Sequence, residues 1–150
     1  MTAFSTRAVH GPGLRKDPHG ALRPPVYDGA AFEFEKSDDL RLAFEGKRPA
    51  HAYSRISNPT VEEFESRVRH VTGAFGVLAT ASGMAAISNV LLALGGPGGN
   101  VVASRFLFGN THSLLDETLR SWGLEPIFVD MTDLAALSSV LSDKTRLVLL

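Results

Sequence analysis

Gly76-Val77-Leu78-Ala79-Thr80-Ala81-Ser82-Gly83-Met84-Ala85-Ala86 reads as a strand, a turn and the start of a helix. Gly76 to Thr80 is a short apolar run of strand length. From Ser82 the chain stays broadly apolar as far as Leu94, where Gly95-Gly96-Pro97-Gly98-Gly99 stops it. The turn between them places a glycine at a helix start, where free N–H groups and the positive end of the helix dipole can face an anion. A helix-start glycine can also stand there with no ligand at all, so this stretch decides the fold before it decides a function.

The alternation continues downstream. A strand is expected near Asn100 to Ala103, a helix from about Asn110 to Trp122, a strand at Leu124 to Val129, a helix at Leu134 to Leu141 and a strand at Arg146 to Leu150. Strands and helices alternating at these lengths imply an α/β domain with a largely parallel sheet. Upstream, Pro59 suits a first helical position and Thr60 and Glu63 have capping-box spacing. Val61, Phe64, Val68 and Val71 then recur at helical intervals up to Gly73, which predicts an amphipathic helix laid on a core. Residues 1 to about 50 carry Gly11-Pro12-Gly13, Pro18, Pro24-Pro25 and Pro49 with little periodicity. One short helix is expected there, near Ser37 to Phe44, with Ser37 or Asp38 as cap and Gly46 after its end. Such a segment does not build a core of its own, and composition alone would also allow a disordered tail.

A chain of 150 residues with 44% hydrophobic content can bury one ordinary core. Its formal net charge of −1, with both signs mixed along the chain, gives no basic field for nucleic acid and no polybasic membrane patch. Met1 to Arg7 lacks the apolar core of a signal peptide, and the longest apolar stretches are too short or too interrupted to span a bilayer. Zero cysteines leave no disulfide framework or thiolate metal site. His10, His19, His51, His70 and His112 show no paired spacing with carboxylates, so no metal site is expected, and Glu62, Glu63 and Glu65 read as a solvated helix face. The expectation is a soluble cytoplasmic protein. The final run, Thr145-Arg146-Leu147-Val148-Leu149-Leu150, is a buried-type strand with no turn or polar cap behind it, so the sequence reads as the front part of a longer protein.

Tyr53-Ser54-Arg55-Ile56-Ser57-Asn58-Pro59-Thr60 adds the second chemical clue. The planar fork of an arginine matches phosphate oxygens, and a tyrosine hydroxyl adds a further donor. With the Ser82-Gly83-Met84 turn and Leu107-Phe108-Gly109-Asn110-Thr111, this run stands in an order that resembles the pyridoxal phosphate (PLP) enzymes of cysteine and methionine metabolism. That family includes cystathionine synthases and lyases, methionine γ-lyase and O-acylhomoserine sulfhydrylases. The resemblance extends up to Gly20-Ala21-Leu22-Arg23-Pro24-Pro25-Val26-Tyr27 and down to the last residue, covering nearly all of the chain.

The resemblance implies a fold-type I PLP-dependent α/β enzyme. Residues 1–50 would form an N-terminal arm that wraps onto a neighbouring subunit, and 51–150 the front, incomplete part of the large PLP-binding domain. The backbone N–H groups of Gly83 and Met84 would meet the cofactor phosphate, with the Ser82 hydroxyl either donating to it or capping the helix. Tyr53 and Arg55 would reach the same phosphate from a neighbouring subunit. Phe108 falls where the family usually has a tyrosine stacked on the cofactor ring and credited with proton transfer. Phenylalanine keeps the stacking face and loses the hydroxyl, which looks most like the sulfhydrylase branch; the alternative is a core aromatic after a strand. Among Lys16, Lys36, Lys47 and Lys144, none sits in the Ser/Thr-rich setting of the family's Schiff-base lysine. That lysine is therefore expected beyond Leu150, and no catalytic residue is assigned within the chain. The implied activity is β/γ-elimination or γ-replacement on a small amino-acid substrate, with O-acetyl- or O-succinylhomoserine sulfhydrylase preferred over cystathionine lyase or methionine γ-lyase. The implied assembly is a homotetramer of catalytic dimers. A different class of answer, a binding or assembly fragment without turnover, follows from the missing lysine.

Overall fold

β1 (Asn100–Ser104) is the strand around which the second half of the molecule is organised. The structure, a computed structural model, describes residues 3–12, 17 and 19–150. Met1, Thr2, Gly13, Lys16 and Pro18, all used in the sequence readings above, lie outside them. The chain divides into two units, Met1–Ala79 and Thr80–Leu150.

In the second unit β1 pairs in parallel with β2 (Glu125–Val129) on one side and β3 (Thr145–Leu149) on the other, giving the order β2-β1-β3. Parallel neighbours need crossover connections. α5 (Gly109–Ser113), continued by a π-helical stretch at Leu114–Leu119, connects β1 to β2, and α6 (Leu134–Val140) connects β2 to β3. Val101, Val102 and Ala103 are fully buried although successive residues point to opposite faces, so both faces of the central strand are covered. Val101 and Ala103 join Leu91 of α4 (Gly83–Leu94) with Leu115, Leu119 and Leu124 in one cluster. Each such aliphatic side chain, fully buried, contributes about 1.5–3 kcal/mol, and this cluster fixes the start of α5 beside the sheet. The expected parallel α/β alternation is therefore present in this unit. The expected single helix from Asn110 to Trp122 differs in that its middle winds as a π-helix, with Leu115 and Leu119 buried on the sheet side.

In the first unit α1 (Phe4–His10) packs on α3 (Pro59–Thr72), and the Arg7 guanidinium donates to the His70 carbonyl at 3.2 Å. α1 corrects the expectation of little periodicity before residue 37: one turn of contact with another helix stabilises a segment that its own pattern did not announce. α2 spans Ser37–Phe44 as expected. Its boundary residue is Lys36, with no side-chain cap from Ser37 or Asp38. α3 ends at Gly73, whose φ of 73° is the left-handed C-cap conformation that glycine adopts without a Cβ clash. The apolar stripe expected to lie on a core does so only in part, with Val68 and Val71 half-buried. Val61 and Phe64 are exposed and the buried residue of α3 is Ser66, because α1 covers only part of the helix surface. Gly76 to Thr80 is likewise not laddered as a strand. Ala79 N–H donates to the Glu65 carboxylate at 2.7 Å, taking from a side chain what a neighbouring strand would have supplied. Glu65 is thus more than the solvated helix face that spacing suggested.

Candidate functional site

Ser82 has extended backbone, φ −159° and ψ 162°, and turns the chain into α4. Its Oγ accepts from Ala85 N–H at 3.1 Å, and its carbonyl accepts from Ala86 N–H at 3.1 Å. Of the first-turn donors, Gly83 and Met84 N–H then bond to none of the described residues. Gly83 does not have a positive φ, and a Cβ built on it would meet nothing within 4 Å. Neither backbone conformation nor packing within this chain calls for a glycine there. A ligand that approaches the backbone closely would.

Phe108 precedes α5 just beyond the carboxyl end of β1, the side of an open α/β sheet on which ligands bind. Its carbonyl accepts from Thr111 and His112 N–H, at 2.9 and 3.1 Å, while its ring is 76% exposed. The ring is therefore not a core aromatic in this unit. Thr111 is buried, and its hydroxyl donates to Met84 Sδ at 3.6 Å, joining the starts of α4 and α5. His112 stacks on Phe128 of β2 with ring centroids 4.2 Å apart, holding α5 against the sheet. The structure thus brings Ser82, Gly83, Met84 and Phe108 onto two helix starts linked by one buried threonine. Spacing alone did not mark Thr111, because its partner lies 27 residues away.

Tyr53 and Arg55 lie in the first unit on one loop. Tyr53 forms an antiparallel bridge with Ala31, flanked by Phe32 N–H to Ala52 O at 3.1 Å and Ser54 N–H to Ala30 O at 2.9 Å. The Tyr53 carbonyl accepts from both Ile56 and Ser57 N–H, so the chain turns tightly and Arg55 projects at the turn. The guanidinium carbon stands 5.3 Å from the centroid of the Tyr53 ring, in cation–π range. Tyr53 is 38% exposed, and the pair presents a phenol and a guanidinium side by side.

Asn58 fixes this loop and is the residue that sequence reasoning missed. It is 6% exposed and satisfied on both ends of its amide. Nδ2 donates to Tyr27 O at 3.0 Å and Ser54 Oγ at 2.9 Å, and Oδ1 accepts from Thr60 N–H at 2.8 Å. Asn58 is thereby the cap of α3, and the capping box expected from Thr60 and Glu63 is not formed. Thr60 Oγ1 accepts from Tyr27 N–H at 2.8 Å, and Glu63 pairs with Arg67 at 2.6 Å. The available signal was an asparagine directly before a proline at the first helical position.

Residues 5–150 match the profile of the Cys/Met metabolism PLP-dependent enzyme family. The chain is similar to an L-methionine gamma-lyase of Pseudomonas putida, 38% identical over 148 residues, covering 99% of this chain and 37% of that protein. It is similar to an O-succinylhomoserine sulfhydrylase of Pseudomonas aeruginosa, 36% identical over 145 residues, covering 97% of this chain and 36% of that protein. In three dimensions it is similar to a Campylobacter jejuni protein crystallised with N'-pyridoxyl-lysine-5'-monophosphate. That match has a TM-score of 0.89 and 32% identity, and covers 99% of this chain and 36% of that one. The chain thus spans just over a third of the length of these proteins, and its α/β architecture is that of fold-type I PLP-dependent enzymes.

Proposed function

The chain belongs to the Cys/Met metabolism PLP-dependent enzyme family, and on that premise we propose that the complete protein acts on activated homoserine or sulfur amino acids by γ-replacement or β/γ-elimination. The preferred activity is that of an O-acetyl- or O-succinylhomoserine sulfhydrylase, with methionine γ-lyase and cystathionine lyase as alternatives. The observation that carries the reading is the open turn at Gly83 and Met84, with two unspent N–H groups, set beside the exposed ring of Phe108.

These residues fit PLP. Its phosphate is an anion of the kind that paired N–H groups at a helix start receive, and the absent Cβ of Gly83 leaves room for it. Ser82 spends its oxygen on Ala85 N–H, which leaves its hydroxyl proton to donate. Phe108 offers a flat apolar face to the cofactor ring. Having no hydroxyl, it carries no proton, so proton transfer at that place belongs to another group or to water. Tyr53 and Arg55 donate to the phosphate held by a partner subunit, and residues 1–50 form the arm that brings the subunits together. That makes a homotetramer of catalytic dimers in the cytoplasm. When bound, PLP supplies the electron sink for charge developing on substrate carbon. The lysine that attaches it lies outside residues 1–150 in this reading, since none of the four present, Lys16, Lys36, Lys47 and Lys144, falls where the family pattern places its Schiff-base lysine. That same count favours a second statement: residues 1–150 alone bind or assemble without turnover. Among the described residues no helix is long and apolar enough to cross a membrane.

The test is to supply the complete protein and PLP with O-acetyl- or O-succinylhomoserine plus sulfide, and separately with L-methionine alone. Faster sulfide incorporation than thiol release supports the sulfhydrylase. The reverse order favours the γ-lyase, and absence of both activities with no PLP retained overturns the family function for this protein.

A further inference from the structure

A phenol and a guanidinium can meet a phosphate only if the loop that presents them, residues 52–56, is held in shape. Asn58 holds it from one side. On the other side stands His51, whose side chain is 13% exposed and packs against Phe32 with ring centroids 5.9 Å apart. His51 Nε2 lies 3.1 Å from Glu62 Oε2 in the first turn of α3, and Nδ1 lies 3.0 Å from Ser57 Oγ. A carboxylate only accepts, so Nε2 carries the proton. In the neutral ring Nδ1 then accepts from the Ser57 hydroxyl. The imidazole therefore ties the entrance of the loop at residue 51 to its exit at Ser57 and to the helix that follows.

Serine, histidine and glutamate are also the residue types of a nucleophilic triad, but the surroundings decide against that role. The Ser57 and Ile56 N–H groups are both spent on the Tyr53 carbonyl, so neither is free to receive an oxyanion at the serine. The same two bonds shape the turn that carries Arg55.

We propose that His51 is a positioning residue: by bridging Ser57 and Glu62 it sets Tyr53 and Arg55 for the phosphate of PLP. The proposal rests on the phosphate-binding reading of that loop given above. It is tested by equilibrium binding of PLP, and of pyridoxal as the phosphate-free probe, to the cofactor-stripped complete protein. His51→Ala should weaken PLP binding about tenfold, the size of coupling found between neighbouring side chains, and leave pyridoxal binding unchanged. In an Arg55→Ala background His51→Ala should cause a smaller further loss than in the otherwise intact protein, since only Tyr53 is then left to position. His51→Gln, which keeps a donor toward Glu62, should recover part of the affinity. Should His51→Ala fail to fold, Ser57→Ala removes the other end of the bridge and should show the same selectivity for the phosphate at smaller amplitude. The proposal is overturned if these changes spare PLP affinity while Arg55→Ala lowers it, if they lower PLP and pyridoxal affinity alike, or if their effect adds in full to that of Arg55→Ala. If Arg55→Ala itself leaves PLP affinity intact, the phosphate role of the loop fails, and the proposed positioning fails with it.

Discussion

Phe108 has an aromatic face and no hydroxyl, and it stands exposed at the start of α5 with its backbone fixed by Thr111 and His112. A ring in that position can stack on a cofactor without exchanging a proton. In the complete protein Phe108→Leu should weaken PLP binding by about 0.5–1.5 kcal/mol, the surplus of a stacked aromatic pair over plain burial. Phe108→Tyr should keep that affinity and raise elimination relative to replacement, measured on one O-acylhomoserine with and without sulfide. Equal affinity and an unchanged product ratio for all three side chains would remove Phe108 from the site. At this scale the sequence was informative where a role depends on neighbours in the chain. Ser82, Gly83 and Met84 read directly as a helix start, and the structure forms that start with two unspent donors. The tertiary partners of Asn58 and Thr111 were opaque because folding sets them: Tyr27 stands 31 residues from Asn58, and Met84 stands 27 from Thr111.

Side-chain caps close the starts of α3, α4 and α6, and two of them can be compared. Asp133 Oδ1 accepts from Ala135 and Ala136 N–H, both at 3.0 Å, in an exposed turn before α6. Asn58 caps α3 through one N–H and also makes two donor bonds while buried. Asp133→Ala should therefore cost about 1 kcal/mol, the usual loss of a cap. Asn58→Ala should cost about 2–4 kcal/mol, because it removes the cap and, with it, the two hydrogen bonds that the buried Asn58 amide donates to the Tyr27 carbonyl and the Ser54 hydroxyl. Urea unfolding of the complete protein measures both, and equal losses would show that the two buried donor bonds contribute nothing beyond the cap. Element positions were legible to within a residue or two for α2, α4, α6 and the three strands of the sheet, since each is marked by its own apolar pattern. The failures have a common cause. Gly76 to Thr80 has the pattern of a strand but no partner in the described ladder, α1 is stabilised by α3, and the π-helical stretch after α5 winds where Leu115 and Leu119 meet the core. Pairing and packing, rather than local pattern, decide all three.

If Tyr53 and Arg55 act on a phosphate cradled by the Gly83–Met84 turn of another subunit, each catalytic dimer holds two sites, and each site draws on both chains. An Arg55→Ala chain is then defective in the site it reaches into, whereas a chain lacking the Schiff-base lysine is defective in the site it cradles. In a mixed dimer these two defects fall on one site and leave the other whole. Two inactive variants, dissociated, combined in equal amounts and reassembled, should therefore regain about a quarter of wild-type activity, because half of the dimers are mixed and half of their sites intact. Arg55→Ala must first be shown to be impaired alone, by the loss of a charge-assisted contact worth about 1.5–3 kcal/mol. If Arg55 instead served the phosphate of its own chain, every site in a mixed dimer would carry one defect. Mixing would then yield no more than the average of the two parents, and the arrangement in which subunits share a site would be ruled out while the cofactor reading of Gly83 and Met84 stood.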